Sequence, residues 1–188
     1  MARQVKIITA AEAAALIKNG DTITTSGFVA SAIPEALDRA VEERFLATGE
    51  PRDLFYVYCG SQGNKDGRGA EHFAHEGLLK RFMAGHWATI PAMQKLALDN
   101  KIEAYNVSQG ALCHLFRDIA GHRPGYLTKV GMGTFIDPRN GGGKVNAKTT
   151  EDYIKELEAQ IEKMKKYGKL LQDICDVMGN DPYMVWRG

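Results

Sequence analysis

The first 150 residues alternate between short apolar runs and segments with helical spacing. Thr9 and Glu12 form a capping box, in which each side chain satisfies a backbone N–H near the other, and they predict a helix over 10–18 that ends at Gly20. The β-branched run 21–26 predicts a strand. Pro34 fixes φ where the next helix begins. This part of the chain is therefore predicted to form a helix, a strand, a turn and a second helix.

The continuously apolar run 54–59 is typical of a strand that helices cover on both faces. Farther along, the spacing predicts helices over 70–84, 92–99 and 110–120, and strands over 102–107 and 127–136. Strands separated by helices pair in parallel through right-handed crossovers. We therefore expect an α/β fold with three layers around an open, mostly parallel sheet.

The pattern changes near Lys148, where a charged segment with few glycines begins. Over 150–178, large aliphatic side chains recur at helical intervals and predict an amphipathic helix, which Gly168 can break into a helical hairpin. The apolar stripe consists of Ile154, Leu157, Ile161, Met164, Leu171, Ile174 and Met178. We assign 1–150 to one α/β domain and 151–188 to a helical tail of unknown origin. The tail is expected to bury its stripe in a homo-oligomer.

Lysine and arginine total 24 while aspartate and glutamate total 23, so the formal net charge is +1. Such a small charge gives no field that would collect nucleic acid or an anionic membrane. The longest apolar runs fall well short of the roughly 20 residues of a membrane-spanning helix, and no signal-peptide core follows the first residues. We expect a soluble, cytoplasmic protein. Its widely spaced cysteines are predicted to be reduced; they are Cys59, Cys113 and Cys175.

Candidate chemistry is concentrated in three places. A Ser-Gly-Phe turn follows the first predicted strand, and Gln109 with Gly110 follows the strand 102–107, at the edge where open α/β sheets bind ligands. The glycine-rich loops 60–69 and 131–143 lack the spacing of a nucleotide fingerprint, but they would let an extended ligand approach the main chain. A purely structural interpretation also exists for each place: a turn, a helix cap and surface loops.

His72 and His75 lie three residues apart beside Glu71 and Glu76, an arrangement that invites comparison with metal sites. The residue order differs from the His-Glu-x-x-His zinc motif, and no third spaced ligand follows. We therefore predict no metal site and interpret this segment as a helix that faces solvent or an interface.

Together these motifs resemble the amino-terminal half of family I CoA-transferases, most closely the propionate/acetate type, over residues 1 to about 152. Ser26 and Ala32 stand where that family has glycine. The resemblance implies the CoA-transferase fold, a coenzyme A thioester as substrate and no separate cofactor. It also implies that Gln109 donates its amide to the thioester oxygen. The implied contacts with coenzyme A are made by Ser26, Gly27, Phe28, Asn106, Gly110, Gly131, Gly133 and Thr134.

In the family that this chain resembles, a glutamate attacks the acyl-CoA and becomes a glutamyl anhydride and then a glutamyl-CoA thioester. That glutamate belongs to the carboxyl-terminal half, and no glutamate here has its sequence context. The expected partners are acyl-CoA, a short-chain carboxylate such as acetate or propionate, and a second-half subunit that carries the glutamate. We expect this chain to be inactive alone. Two alternatives stay open: a catalytically silent binding or assembly subunit, and a phosphosugar isomerase or sensor on the same general fold.

Overall fold

Four parallel strands form the central sheet of the described residues. The computed structural model describes residues 6–123 and 125–150, together with the backbone strand at 184–186. The sheet order follows the chain: β1 (Thr22–Ile23), β2 (Leu54–Tyr58), β3 (Leu79–Ala84) and β4 (Glu103–Asn106). Each neighbouring pair is parallel. The carboxyl ends of all four strands therefore meet at one edge of the sheet.

Local signals in the sequence start and stop the helices. The capping box of Thr9 and Glu12 is present at the start of α1 (Ala10–Ala14), and Gly49 ends α2 (Glu35–Thr48) in a left-handed conformation. Proline is the first residue of α3 (Pro91–Leu98). The side chain of Ser108 caps α4 (Gln109–Ala120) by accepting a hydrogen bond from the Ala111 N–H. Short 3₁₀ helices span Gly69–Phe73 and Pro138–Asn140.

Helices cover both faces of the sheet. On one face, Tyr56 of β2 and Phe82 of β3 belong to a buried cluster that includes residues of α1, α2 and α3. On the other face, Val57 and Met83 pack with Leu112 and other residues of α4. Because side chains alternate along a strand, consecutive residues such as Tyr56 and Val57 enter opposite layers. The prediction of a three-layer α/β fold with a parallel sheet is confirmed.

The predicted helix over 70–84 is wrong. A 3₁₀ helix ends at Phe73, Gly77 adopts a φ of +91°, and residues 79–84 form the central strand β3. Apart from Phe82, the segment Leu-Lys-Arg-Phe-Met-Ala consists of good helix formers, so its local preference favours a helix. Pairing with β2 on one side and β4 on the other satisfies its backbone and buries Phe82 and Met83, and this outweighs local propensity.

The strand predicted over 127–136 is wrong beyond residue 128. β5 (Tyr126–Thr128) is followed by turns, in which Gly131 and Gly133 both have positive φ. β5 pairs in antiparallel fashion with β6 (Met184–Trp186). The helix predicted over 150–178 lies outside the described residues. The elements predicted over 10–18 and 21–26 are shorter than expected, since α1 ends at Ala14 and β1 at Ile23. Among described residues, no helix is long and apolar enough to cross a membrane.

Candidate active site

A cavity of about 730 Å³ lies between the carboxyl ends of β1 and β2 and one side of α4, which lines it from Gln109 to Ala120. It brings together four of the sequence-predicted site residues: Ser26, Gly27, Phe28 and Gln109. The remaining lining residues are Thr24, Thr25, Tyr58, Cys59, Gly60, Cys113, Phe116, Ile119 and Ala120. Ligands of open α/β sheets bind at this edge.

Two side chains hold the loop after β1 in place. The Tyr58 hydroxyl donates a hydrogen bond to the Gly27 carbonyl, and the Gln62 amide donates one to the Ser26 carbonyl. Gly27 has a φ of +115°, and a Cβ there would lie 2.9 Å from the Ser31 carbonyl oxygen. Glycine is therefore required at this position for both conformational and steric reasons.

Gln62 is the functional residue that sequence reasoning missed. Its side chain is fully buried, with 0% exposure, and its carbonyl oxygen accepts hydrogen bonds from the hydroxyls of Tyr56 and Thr25, each at 2.8 Å. Val29 lies on the same connection, because its N–H donates to the Ser61 carbonyl at 2.9 Å. The amide thus ties the loop after β1 to the loop after β2. The only sequence signal was its place in the glycine-rich loop 60–69.

Gln109 is the first residue of α4 and lines the cavity. Close backbone approach places it there: a Cβ added at Gly85 would lie 2.8 Å from the Gln109 Cα, and one at Gly60 would lie 3.4 Å from its Oε1. Ser108, and not Gln109, caps the helix. Within the described part of the chain, no hydrogen bond engages the Gln109 side-chain amide. The amide is therefore available to a ligand.

None of the described residues that line the cavity is a carboxylate. Glu35 instead accepts from the Gly69 N–H at 3.0 Å and contacts His72. Glu71 accepts from the backbone N–H groups of Gly67 and Ala92, at 3.0 and 2.7 Å. The cavity therefore offers hydrogen-bond donors in an uncharged surrounding, and the described residues supply no nucleophilic carboxylate to it.

The remaining predicted site residues lie elsewhere. Asn106 lines a separate cavity of about 320 Å³ with His86 and Trp87, and its N–H donates to the Gly143 carbonyl at 2.8 Å. Gly110 is in the first turn of α4 but does not line the large cavity. The turn after β5 contains the other three, which also lie outside that cavity: Gly131, Gly133 and Thr134.

Asp137 organises the turn after β5. It accepts from the Gly133 N–H at 2.7 Å and from the Arg139 guanidinium at 2.6 Å. Hydrogen bonds from Arg139 and Gly133 hold the pKa of the Asp137 carboxyl well below its usual range. Asp137 thereby fixes the conformation of this turn, although Gly133 itself is exposed.

The prediction that His72 and His75 face solvent or an interface on a helix is wrong for His72, which is 8% exposed. Its Nδ1 lies 2.5 Å from Glu42 and its Nε2 lies 2.9 Å from Glu35, while His75 Nε2 lies 2.6 Å from Glu42. Burial opposes the charged ring, but the hydrogen bonds to Glu35 and Glu42 outweigh it and raise the pKa of His72. A carboxylate at each ring nitrogen indicates an imidazolium that ties α2 to the 3₁₀ helix.

Comparison with known proteins shows the family to which the chain belongs. The family model for coenzyme A transferases matches residues 7–169. The chain belongs to the coenzyme A transferase family. This match extends past residue 150, into the segment for which the sequence alone indicated no relative.

Named relatives support the assignment. The caffeate CoA-transferase of Acetobacterium woodii is 36% identical over 174 residues, which are 93% of this chain. The acetate CoA-transferase YdiF of Escherichia coli K12 is 37% identical, over 92% of this chain. A crystal structure of acyl-CoA transferase (YdiF) from E. coli O157:H7, a thioester complex with CoA, matches 77% of the chain with a TM-score of 0.72 and 37% identity. It is matched over 30% of its own chain. The present coenzyme A transferase chain spans 33% of the length of both named relatives.

Proposed function

We propose that this chain is the amino-terminal part of an acyl-CoA:carboxylate CoA-transferase that moves coenzyme A between short-chain acids such as acetate and propionate. The named relatives act on acetate and on caffeate, and the solved relative is a thioester complex with CoA. The proposed reaction is a ping-pong exchange through a glutamyl-CoA thioester, and its glutamate belongs to the part of the enzyme that this chain does not cover.

The observation that carries the proposal is the free amide of Gln109 at the edge of an uncharged cavity. When a carboxylate attacks a thioester, negative charge builds on the former carbonyl oxygen. A neutral donor that is already in place stabilises that charge without reorganisation, by roughly 3 to 4 kcal/mol in a site with little water. The Gln109 amide is the donor in this proposal, and Ser26 and Gly27 line the same cavity.

The proposed chemistry conserves the energy of the thioester bond. The external glutamate attacks the acyl-CoA carbonyl, and coenzyme A leaves as its thiolate, so that an acyl-glutamyl anhydride forms. The thiolate then attacks the glutamyl carbonyl and releases the first carboxylate, which leaves glutamyl-CoA. The second acid reverses these steps. The lack of a carboxylate among the described lining residues supports an external nucleophile and leaves room for it beside Gln109.

The expected test combines this chain with the remaining carboxyl-terminal part of YdiF and measures exchange between acetyl-CoA and propionate. In the reconstituted enzyme, Gln109→Ala should lower kcat by about 100- to 1,000-fold with a smaller effect on KM, because the interaction strengthens as charge develops. Gln109→Glu should be worse, since it adds an anion where negative charge must build. Gln94→Ala is a matched control, because Gln94 lies on α3 outside this cavity.

If the Gln109→Ala enzyme is folded and keeps more than about a third of wild-type kcat, Gln109 is not the oxyanion donor. The chain alone should show no exchange. Turnover on the order of 1 per second from the chain alone would refute an external glutamate and direct attention to Glu35, Glu71 and Glu76. If a stable complex with the second part forms without exchange, the silent binding or assembly subunit becomes the better account.

A further inference from the structure

Two cysteines that are distant in the sequence meet inside the cavity. Cys59 directly follows β2, and Cys113 lies on α4, one turn after Gln109. Both side chains line the cavity, and the end of β2 approaches the start of α4 closely. The small size of Gly85 allows this approach, since a Cβ there would lie 2.8 Å from the Gln109 Cα and would also collide with the Cys59 carbonyl oxygen. The backbone therefore brings the two cysteines near each other in the cavity wall.

We propose that Cys59 and Cys113 form a dithiol site that reacts with low-molecular-weight disulfides to give a reversible Cys59–Cys113 disulfide. Because both side chains enter one cavity beside the close approach at Gly85, we expect a bond to require side-chain rotation rather than movement of β2 or α4. Neither cysteine has a role in the transfer mechanism proposed above, and the reaction is independent of that mechanism.

The exposures of the two cysteines set the order of steps. Cys113 is exposed, so its thiolate attacks one sulfur of a small disulfide, forms a mixed disulfide and expels one small thiolate. Cys59 then loses its proton and attacks the Cys113 sulfur, which expels the second small thiolate. Two protein thiols are oxidised, and one small disulfide is reduced to two small thiols. Burial, followed by the neighbouring Cys113, raises the pKa of Cys59 to about 12, so its thiolate fraction is small and the second step is the slow one.

The disulfide would join the end of β2 to the second turn of α4, beside Gln109. It would fix the distance between the loop at Gly60 and the helix that carries the amide. Formation or reduction of the Cys59–Cys113 disulfide would then change how easily a CoA thioester reaches Gln109. Only this consequence rests on the proposed function.

The test uses the full chain, both wild type and with Cys175→Ser to remove the third thiol, and 2-hydroxyethyl disulfide as the probe. Released 2-mercaptoethanol, intact mass and a non-reducing peptide map are measured. Cys175→Ser should release two small thiols per chain, lose the mass of two hydrogen atoms and yield a peptide joined through Cys59 and Cys113. With Cys59→Ser added, one small thiol should be released and the mixed disulfide on Cys113 should persist.

A folded Cys175→Ser chain that stops at the mixed disulfide on Cys113 would overturn the proposal, as would dimers cross-linked through Cys113. The same chain unfolded in urea is the reference, and there the Cys59–Cys113 disulfide should need a ratio of 2-hydroxyethyl disulfide to 2-mercaptoethanol about 10-fold or more higher at equilibrium, because the fold no longer holds the two thiols near each other. Equal ratios for the folded and unfolded chains would also overturn it. If Cys59→Ser fails to fold, as judged by circular dichroism, the peptide map and the urea comparison on Cys175→Ser alone decide the question.

Discussion

Replacing Gln62 by leucine tests whether its buried amide holds the loop that bounds the active-site cavity. Leucine has a similar size, so the change removes the polar contacts without opening a large cavity. Gln62 makes three side-chain hydrogen bonds, to the Ser26 carbonyl and to the hydroxyls of Tyr56 and Thr25. The hydroxyl oxygens of Tyr56 and Thr25 also lie 2.5 Å apart, so after the substitution one of these hydroxyls can donate to the other.

The expected loss follows from counting the groups left unsatisfied. These are the Ser26 carbonyl and one of the two hydroxyl protons. Each buried group without a partner costs about 1 to 3 kcal/mol. Thr25 is half-buried and Ser26 is exposed, so water can solvate the Ser26 carbonyl, and we expect Gln62→Leu to lower the free energy of unfolding by about 1 to 3 kcal/mol. Urea unfolding followed by circular dichroism measures this loss. With an m value of about 1 to 3 kcal/mol per molar, the midpoint should fall by roughly 1 M.

Two further variants sharpen the test. Gln94→Leu removes a half-buried amide with one hydrogen bond, from Nε2 to the Trp87 carbonyl at 2.6 Å, and should cost about 1 kcal/mol. Gln62→Glu keeps the acceptor but removes the donor to Ser26. Its destabilisation should shrink as pH falls through the raised pKa of the buried carboxyl, because the protonated acid can donate again. The reasoning is refuted if Gln62→Leu costs no more than Gln94→Leu.

Three other predictions follow from the same structure. Gly85→Ala should lower the free energy of unfolding by about 1 to 3 kcal/mol, because the added methyl group is overpacked against Gln109. Gly110→Ala should be neutral or slightly stabilising, because its Cβ meets only Ser108 Oγ, at 3.9 Å. Equal urea midpoints for the two variants would contradict the close approach at Gly85. Burial raises the pKa of Asp38 to about 7, and neither carboxylate oxygen has a hydrogen-bond partner in the described structure. The folded state therefore binds a proton on Asp38 that the unfolded state has lost, and the free energy of unfolding should fall as pH rises from about 4 to 7. Asp38→Asn should flatten this pH dependence when unfolding is measured across the range. An unchanged pH dependence would contradict the raised pKa. Deletion of 151–188 should change the assembly state seen by light scattering, because it removes the predicted apolar stripe through which chains would associate. An identical folded monomer with and without the tail would rule out that interface.

The candidate site was only partly predictable from the sequence. Gln109 and the turn from Ser26 to Phe28 were identified because each follows a predicted strand and belongs to a motif of consecutive residues. Gln62 was missed because its partner Ser26 is 36 residues away, and nothing local distinguishes a buried amide from an exposed one. Conversely, Asn106 and Gly131 were grouped with Gln109 by resemblance, yet the described structure places both outside the cavity that Gln109 lines.

What the sequence determined by itself was the set of features fixed by neighbouring residues. The capping box at Thr9, the proline that begins α3 and the serine that caps α4 act within one turn of helix, so they can be recognised without tertiary contacts. The alternation of strands and helices and the family motifs likewise belong to the linear chain. These were sufficient for the fold class.

Tertiary structure decided everything that depends on burial and on distant partners. Residues 79–84 have the local preference of a helix, but they become a strand because β2 and β4 flank them and bury Phe82 and Met83. His72 becomes a buried link between elements because α2 brings carboxylates to both of its ring nitrogens. Such outcomes follow from the free energy of assembled layers, in which pairing, desolvation and packing exceed the small preferences of single residues.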